Sequence, residues 1–501
     1  MLAPVIIQGG MGVAVSSWRL ARAVSRTGQL GVVSGTALDA VVSRRLQLGD
    51  PDGHVRRAIA AFPNGDIARR VLKKYFVEGG IPAGQSFRGV PMASLEPSRA
   101  CLELTVVANF VEVWLAKEGH RGEVGVNYLE KVQAPTLPAL YGALLAGADY
   151  VLMGAGIPRS IPGALDRLAS GEPCELPLDV IDRGRDESFA LRFDPHEFLG
   201  SEPPQLERPR FLAIVSSATL ASMLLKKSNG RVDGFVVEGP TAGGHNAPPR
   251  GAMQLNDRGE PVYGPRDAAD LAAFRELGVP FWLAGGWGTP DGLHRALDEG
   301  AAGVQVGTAF ALCNESGLRP ELRRQALDKV RRGDAEIVTD PQASPTGFPF
   351  KLLQLEGSLT DSQVYSQRER RCDLGYLRRA YRRDDGTLGW RCAAEDVDAF
   401  VRKGGAADEC TGRQCLCNAL LANVGLAQRT GDDAVEPPLV TCGDAITGLA
   451  PLLADGRTEY AAEDVVDYLL AGVERPAAAT ATATARREAA QPRQPETTGS
   501  V

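Results

Sequence analysis

The sequence has no long apolar run, only five histidines and no excess of positive charge. None of its apolar runs reaches the roughly 20 residues that a membrane-spanning helix needs. The first residues include neither a basic segment nor a cleavage site for secretion, so we expect a cytoplasmic protein without a membrane anchor. Lysine and arginine total 55 against 62 aspartates and glutamates, which gives a formal net charge of −7. This balance argues against nucleic acid and anionic membranes as partners.

Cysteine is scarce and unevenly distributed. The nine cysteines are odd in number, so we expect reduced thiols and not a disulfide framework. Two alternatives remain for the six that follow residue 370: they gather as metal ligands, or they are buried free thiols. The C-x4-C-x-C spacing of Cys410, Cys415 and Cys417 matches no usual zinc or iron–sulfur pattern. Free thiols and no metal site are therefore the prediction.

The chain does contain short apolar segments that alternate with helical spacing. This alternation predicts a parallel sheet whose strands are connected by helices. Eight such segments before residue 335 favour a (β/α)8 TIM barrel, with a doubly wound open sheet as the alternative. The eight predicted strands are residues 5–8, 30–34, 123–129, 150–153, 211–215, 235–238, 281–284 and 303–306.

The same pattern divides the chain. Residues 1–335 are the predicted barrel, with a mostly helical insertion at about 37–120. The β/α alternation ends there, and residues 336–474 are predicted to form an additional, mainly α-helical C-terminal region. Residues 475–501 are rich in alanine, threonine, proline, glutamine and arginine, a composition typical of a disordered tail.

Turns of small residues follow the last two predicted strands. The strand at 281–284 ends at Gly285-Gly286, and the strand at 303–306 ends at Gly307-Thr308. Thr289 and Pro290 suit the N-cap and first position of the helix between these strands. Backbone N–H groups in such turns can approach a phosphate closely, so we predict a phosphate site. The alternative is that these glycines only serve tight turns.

Another glycine pair, Gly243-Gly244, follows the strand at 235–238 and precedes His245. Histidine is the side chain best suited to proton transfer near neutral pH. Because the chain has only five histidines and this one follows a glycine-rich rim loop, we predict a functional role for His245 over a structural one. Glu238 at the strand end either orients a ligand or caps the loop.

Four motifs together resemble the nitronate monooxygenase family, which includes similar FMN-dependent enoyl-acyl carrier protein reductases. The motifs are PVIIQGGMG at 4–12, EVGVN at 123–127, EGPTAGGHNAPPRG at 238–251 and LAGGWG at 283–288, continued by GVQVGTAF at 303–310. The resemblance covers the predicted barrel, and it implies that FMN is held non-covalently at its carboxyl end.

The resemblance also implies roles for individual residues. Asn127 is expected beneath the flavin ring, Ser216 is a weaker candidate, and His245 corresponds to the catalytic base. The implied FMN contacts are Gly9, Gly10, Met11, Gly12, Asn127, Ser216, Ala242, Gly243, Gly244, Gly285, Gly286, Trp287, Gly307 and Thr308.

The implied reaction is oxidation of a nitronate, or of a nitroalkane deprotonated by His245, by O2 to a carbonyl compound and nitrite. Two departures from the family pattern keep alternatives open. Residues 246–249 replace the glycine that commonly lies two residues after the histidine, and the region after residue 340 resembles long relatives, including reductase subunits of fatty acid and polyketide synthases. The first alternative is an NAD(P)H-dependent enoyl-thioester reductase with an acyl carrier or synthase partner. The second is a non-catalytic flavoprotein that docks through its C-terminal region.

Overall fold

The computed structural model describes residues 3–430 and 434–473. The tail predicted at 475–501 lies outside these residues.

Eight parallel strands form a closed barrel. Their order around it pairs the first strand, Ile6–Gln8, with the last, Gly303–Val306. The ring closes on the other side, where the Gln8 N–H donates to the Leu30 carbonyl at 2.9 Å and the Leu30 N–H donates to the Ile6 carbonyl at 3.1 Å. The predicted TIM barrel is confirmed, and the open sheet is excluded. The six other strands are Gly31–Ser34, Val124–Leu129, Tyr150–Gly154, Arg210–Val215, Gly234–Glu238 and Phe281–Ala284.

Side chains inside the barrel form an apolar layer in the middle of the strands and a polar layer at their carboxyl ends. Val236 and Trp282 belong to the apolar layer, which is closely packed. Because successive side chains point to opposite faces, Glu238 points inward two residues after Val236. Gln305 pairs with Ala284, which also pairs with Glu238, and Asn127 lies near the end of its own strand. These polar side chains lie at the carboxyl end of the barrel, where TIM barrels place their functional sites.

Helices cover the outside of the barrel. The longest helix, Arg99–Lys117, packs against the helix Thr136–Leu145. It is one of four helices that the chain forms between the second and third barrel strands. The remaining helices before residue 335 are Trp18–Arg26, Leu38–Gln47, His54–Ala60, Gly65–Tyr75, Ile161–Ala169, Pro195–Leu199, Ala218–Lys227, Leu271–Glu276, Pro290–Asp298, Thr308–Ala311 and Pro320–Arg332, with a 3-10 turn at Pro265–Asp267.

Outside the barrel, short hairpins accompany the helices. One pairs Cys174–Pro177 with Ala190–Phe193, in the segment between two barrel strands. After residue 335, hairpins that the sequence analysis did not predict pair Ile337–Asp340 with Phe350–Leu353, and Arg379–Arg382 with Leu388–Arg391. The latter hairpin also pairs with Val180–Ile181, and Arg429–Thr430 pairs with Ala434–Val435. Helices there are Ser362–Gln367, Val397–Arg402, Leu416–Ala422 and Ala462–Leu469, with 3-10 segments at Ala407–Cys410 and Asp444–Gly456.

The cysteines are free thiols in the structure, and most are buried. Over residues 3–430 and 434–473, no group of three or more histidine, cysteine or carboxylate side chains is placed to hold a metal ion. In the same residues, no helix combines the length and apolar character required to cross a membrane.

Gly303 tests how tightly the barrel closes. A Cβ at this position would lie 1.9 Å from the Val5 carbonyl oxygen, at the junction of the first and last strands. Gly303→Ala must therefore move the backbone, and we expect it to lower the free energy of unfolding by about 1–3 kcal/mol, the usual cost of overpacking. Urea denaturation measures this change. Gly89→Ala is the control, because its Cβ meets no atom within 4 Å, and a loss of equal size there would contradict the interpretation.

Candidate functional site

A cavity of about 230 Å³ lies at the carboxyl end of the barrel. Residues from several strand ends line it, including every residue that the sequence analysis assigned to a site except Ser216. These are Gly9, Gly10, Met11, Gly12, Asn127, Ala242, Gly243, Gly244, His245, Gly285, Gly286, Trp287, Gly307 and Thr308.

Ser216 borders a different space. It lines a smaller cavity of about 40 Å³, and its carbonyl oxygen accepts a hydrogen bond from Arg250 Nη2 at 3.0 Å. The predicted contact between Ser216 and a ligand in the main cavity therefore has no support in this arrangement.

The turn after the seventh barrel strand requires glycine. Gly285 and Gly286 have φ values of +83° and +80°, and a Cβ on Gly285 would lie 2.9 Å from the Ala242 nitrogen. The next helix begins as the sequence indicates: the Thr289 side chain accepts from the Gly292 N–H, and Pro290 occupies the first turn. This turn brings bare backbone to the cavity wall, as a phosphate site requires.

Asn127 and the first glycine turn lie in close contact. A Cβ on Gly10 would lie 2.4 Å from Asn127 Cβ, so any other residue there would displace the asparagine. The turn after the first strand is thus shaped to leave room for the Asn127 amide at the cavity floor.

Two polar side chains of the floor were missed or left open by sequence reasoning. Gln305 faces the barrel interior, and its Oε1 is buried without a hydrogen-bond partner among the described residues. Its position as the single polar residue in the run GVQV could have identified it. Glu238 lies at the same level, separated from Gln305 by Ala284 on the strand between them. Burial raises the pKa of Glu238 to about 8, so its carboxyl group is mostly protonated at neutral pH.

The C-terminal region supplies a wall of the cavity, which the sequence did not reveal. Tyr376 belongs to this wall, and its hydroxyl donates to Asp39 Oδ1 at 2.5 Å, which connects the C-terminal region to a helix of the 37–120 segment. The region's other cavity residues are Leu377, Leu416, Cys417, Leu420, Thr441, Cys442, Gly443, Ala445 and Leu449, together with Phe350.

Hydrogen bonds from the C-terminal region hold the loop that carries His245. The Gly244 N–H donates to Thr441 Oγ1 at 2.8 Å, and the Gly244 carbonyl accepts from the Lys351 N–H at 3.0 Å. The Asp444 N–H donates to the Thr241 carbonyl at 3.0 Å. The Lys351 ammonium group, itself buried, lies 2.8 Å from Asp444 Oδ1 and links the two contacting segments.

His245 is half-buried, and its ring lies between the cavity and the strand Phe350–Leu353. Its Nε2 is hydrogen-bonded to Ser344 Oγ at 2.7 Å, and its ring centroid lies 4.8 Å from that of Phe350 in an edge-on arrangement. Burial lowers the pKa of His245 to about 4. The imidazole is therefore neutral at physiological pH, which is the form that can accept a proton.

Comparison with known proteins identifies the segment that contains much of this site. Residues 204–346 match the family model described as nitronate monooxygenase. The resemblance inferred from the motifs is thereby confirmed, and the family segment includes Glu238, His245 and both glycine turns of the last two strands.

Two similar proteins carry the same description as the family model. A probable nitronate monooxygenase of Bacillus subtilis is 36% identical over 163 residues, which are 32% of this chain and 44% of that protein. The nitronate monooxygenase of Pseudomonas aeruginosa is 29% identical over 182 residues, 36% of this chain and 49% of the other. The chain therefore spans less than half the length of these relatives.

Two of the solved structures that are similar over most of the chain show how low the sequence identity is. FabK from Thermotoga maritima has 15% identity and a TM-score of 0.45, covering 94% of this chain and 92% of that one. Nitroalkane oxidase from Streptomyces ansochromogenes has 15% identity and a TM-score of 0.43, covering 94% and 95%.

The lowered pKa of His245 predicts how the stability of this protein depends on pH. Between pH 6.5 and 4 the unfolded chain protonates this histidine while the folded chain does not, so stability falls as pH falls through this window. We expect His245→Gln to reduce this loss, so that the melting temperature of ligand-free protein falls less between pH 6.5 and 4.5 than in the unsubstituted protein. His196→Gln, at an exposed position, is the control. Equal pH dependence for all three proteins would contradict the burial of a neutral imidazole.

Proposed function

We propose that this protein binds FMN and oxidises nitronates with O2 to carbonyl compounds and nitrite. The observation that carries the proposal is the convergence of His245, Asn127 and three glycine turns on one cavity, within and around a nitronate monooxygenase segment. Its substrates are small molecules and O2, and the reaction requires no metal.

The cavity suits the chemistry of FMN at both ends of that molecule. The turns at Gly285-Gly286 and Gly307-Thr308 would hold the phosphate, because their backbone approaches the cavity without an intervening side chain. Asn127 and Gln305 would contact the polar edge of the flavin ring. The unpartnered Gln305 Oε1 supports this assignment, because a buried acceptor costs free energy until a ligand supplies a donor.

When bound, FMN supplies the one-electron oxidation of the nitronate. The protein places the substrate and moves the proton. A nitronate needs no base, whereas a nitroalkane must first lose its α-proton. We assign that step to His245, whose neutral ring faces the cavity and is oriented by Ser344 and Phe350.

A second candidate function is FMN- and NAD(P)H-dependent reduction of an enoyl thioester, with an acyl carrier or synthase as partner. The apolar wall formed by Leu129, Val132, Leu377, Leu416 and Leu420 favours it, because such a wall can pack against an alkyl chain.

His245→Asn tests the assignment of the base. We expect the substitution to lower nitroalkane turnover at least about 100-fold, the scale of losing a general base, and to lower nitronate turnover much less. Nitrite release from each substrate measures both. An equal effect on the two substrates would show that His245 contributes only to binding or structure.

Two further measurements separate the candidate functions. Aerobic nitrite release from propyl nitronate supports the oxidase, and rapid bleaching of the flavin by NADPH, with consumption of an enoyl thioester, supports the reductase. A purified protein that is colourless and cannot be reconstituted with FMN would contradict both.

A further inference from the structure

Within residues 3–430 and 434–473, Glu238 is the one residue that borders both the main cavity and the smaller cavity beside it. It ends the sixth barrel strand, and its side chain points into the barrel at the level of Ala284 and Gln305. A carboxyl group thus separates two spaces that share no other residue of their linings. This position is suited to passing a proton from one space to the other.

The smaller cavity leads from Glu238 towards solvent. Its outer lining includes Ala247, Pro248 and Arg250, all of which are exposed. At about 40 Å³ it has room for roughly three or four water molecules, since each needs on the order of 10–15 Å³. A short water chain can therefore connect the carboxyl group with the surface.

The polar and charged residues around the smaller cavity form their hydrogen bonds with partners other than Glu238. The Arg250 N–H donates to Asp267 Oδ1 at 2.8 Å, and Arg250 Nη2 donates to the Ser216 carbonyl. The Tyr263 hydroxyl donates to the Ala247 carbonyl at 3.1 Å. Among the described residues, no charged group shifts the pKa of Glu238, which is raised by burial alone. Its carboxyl group is accordingly free to gain and lose a proton without breaking a salt bridge.

The titratable groups that face Glu238 across the main cavity are His245, Tyr128, Tyr376, Cys417 and Cys442. Burial raises the pKa of both tyrosines and both thiols, so all four stay neutral near pH 7. The pKa of His245 is about 4 and that of Glu238 about 8. Of these groups, Glu238 is the one whose charge changes near physiological pH.

We propose that Glu238 is a proton-relay residue, which receives the proton taken from a substrate in the main cavity and releases it to solvent through the smaller cavity. This inference rests on the proposed function. In the nitroalkane reaction the α-carbon–hydrogen bond breaks, the electron pair remains on the substrate as the nitronate, and His245 accepts the proton. The buried imidazolium is unfavourable, so the proton moves through cavity water to the ionised form of Glu238, which is the minor form at neutral pH and becomes more abundant as pH rises. The proton then leaves through the water chain of the smaller cavity. The step consumes no oxidant or reductant.

The main test compares two substrates that differ only in this proton. Glu238→Gln keeps the size of the side chain and removes its titration. We expect the ratio of nitroalkane to nitronate turnover to fall at least about 10-fold, while the first nitroalkane turnover is slowed much less than later ones. In the unsubstituted protein we expect nitroalkane turnover to rise around pH 8, as Glu238 ionises, and in Glu238→Gln this rise should be missing. Glu276→Gln, at an exposed helix position, is the matched control and should leave the ratio unchanged.

Further variants examine the route and guard against misfolding. Glu238→Asp retains a carboxyl group and should restore the pH dependence in part. Ala247→Leu adds bulk to the smaller cavity and should lower the same ratio. An unchanged ratio in Glu238→Gln, or equal loss with both substrates, overturns the relay.

A second readout needs neither flavin nor turnover. The infrared carbonyl band of a protonated carboxylic acid should be present in flavin-free protein at pH 7, decline around pH 8 and be missing in Glu238→Gln. A band that titrates in the ordinary glutamate range overturns the relay. If the unsubstituted protein releases no nitrite from nitronate, the proposed function fails and the relay fails with it. If nitronate is oxidised but the ratio is insensitive to Glu238, only the relay fails.

Discussion

The loop from Thr241 to His245 is fixed between the barrel rim and the C-terminal region, and the cavity depends on this contact. Thr441, Asp444 and Lys351 bond to its backbone, while Phe350 packs against the histidine ring. A Cβ on Gly243 would lie 2.8 Å from the Gly443 nitrogen, so the two segments meet with only glycine between them. The C-terminal region is therefore part of the site's wall, and its contacts set the position of His245.

Enclosure by this wall also determines the electrostatics of the site. Glu238 and His245 face the same cavity, and burial disfavours the charged form of each, so their pKa values shift in opposite directions. An acid and a base that are both neutral at pH 7 can coexist without repulsion or an ion pair. Such paired shifts are typical of sites that transfer protons.

Much of the barrel could be predicted from sequence because its strands are short apolar runs bounded by glycine. Strand ends such as Gly285-Gly286 and Gly307-Thr308 identify the carboxyl rim by chain order alone, since parallel strands end at one edge. His245 follows from the same rule, whereas Asn127 and Ser216 were implied by the family resemblance. Ser216 also follows a strand, yet it borders the smaller cavity, because the loop containing Arg250 lies over the end of that strand. Rim position alone does not determine which space a side chain faces.

The sequence by itself determined the strands, the glycine turns and the end of the barrel at which the site lies, since these depend on local spacing and on conformations that glycine adopts most easily. Only the tertiary structure decided that residues between 350 and 449 line one side of the cavity and that Glu238 lies between two cavities. It also decided that Gln305 Oε1 has no hydrogen-bond partner among the described residues. These features arise where segments far apart in the chain come together, and no local pattern encodes which segments will meet.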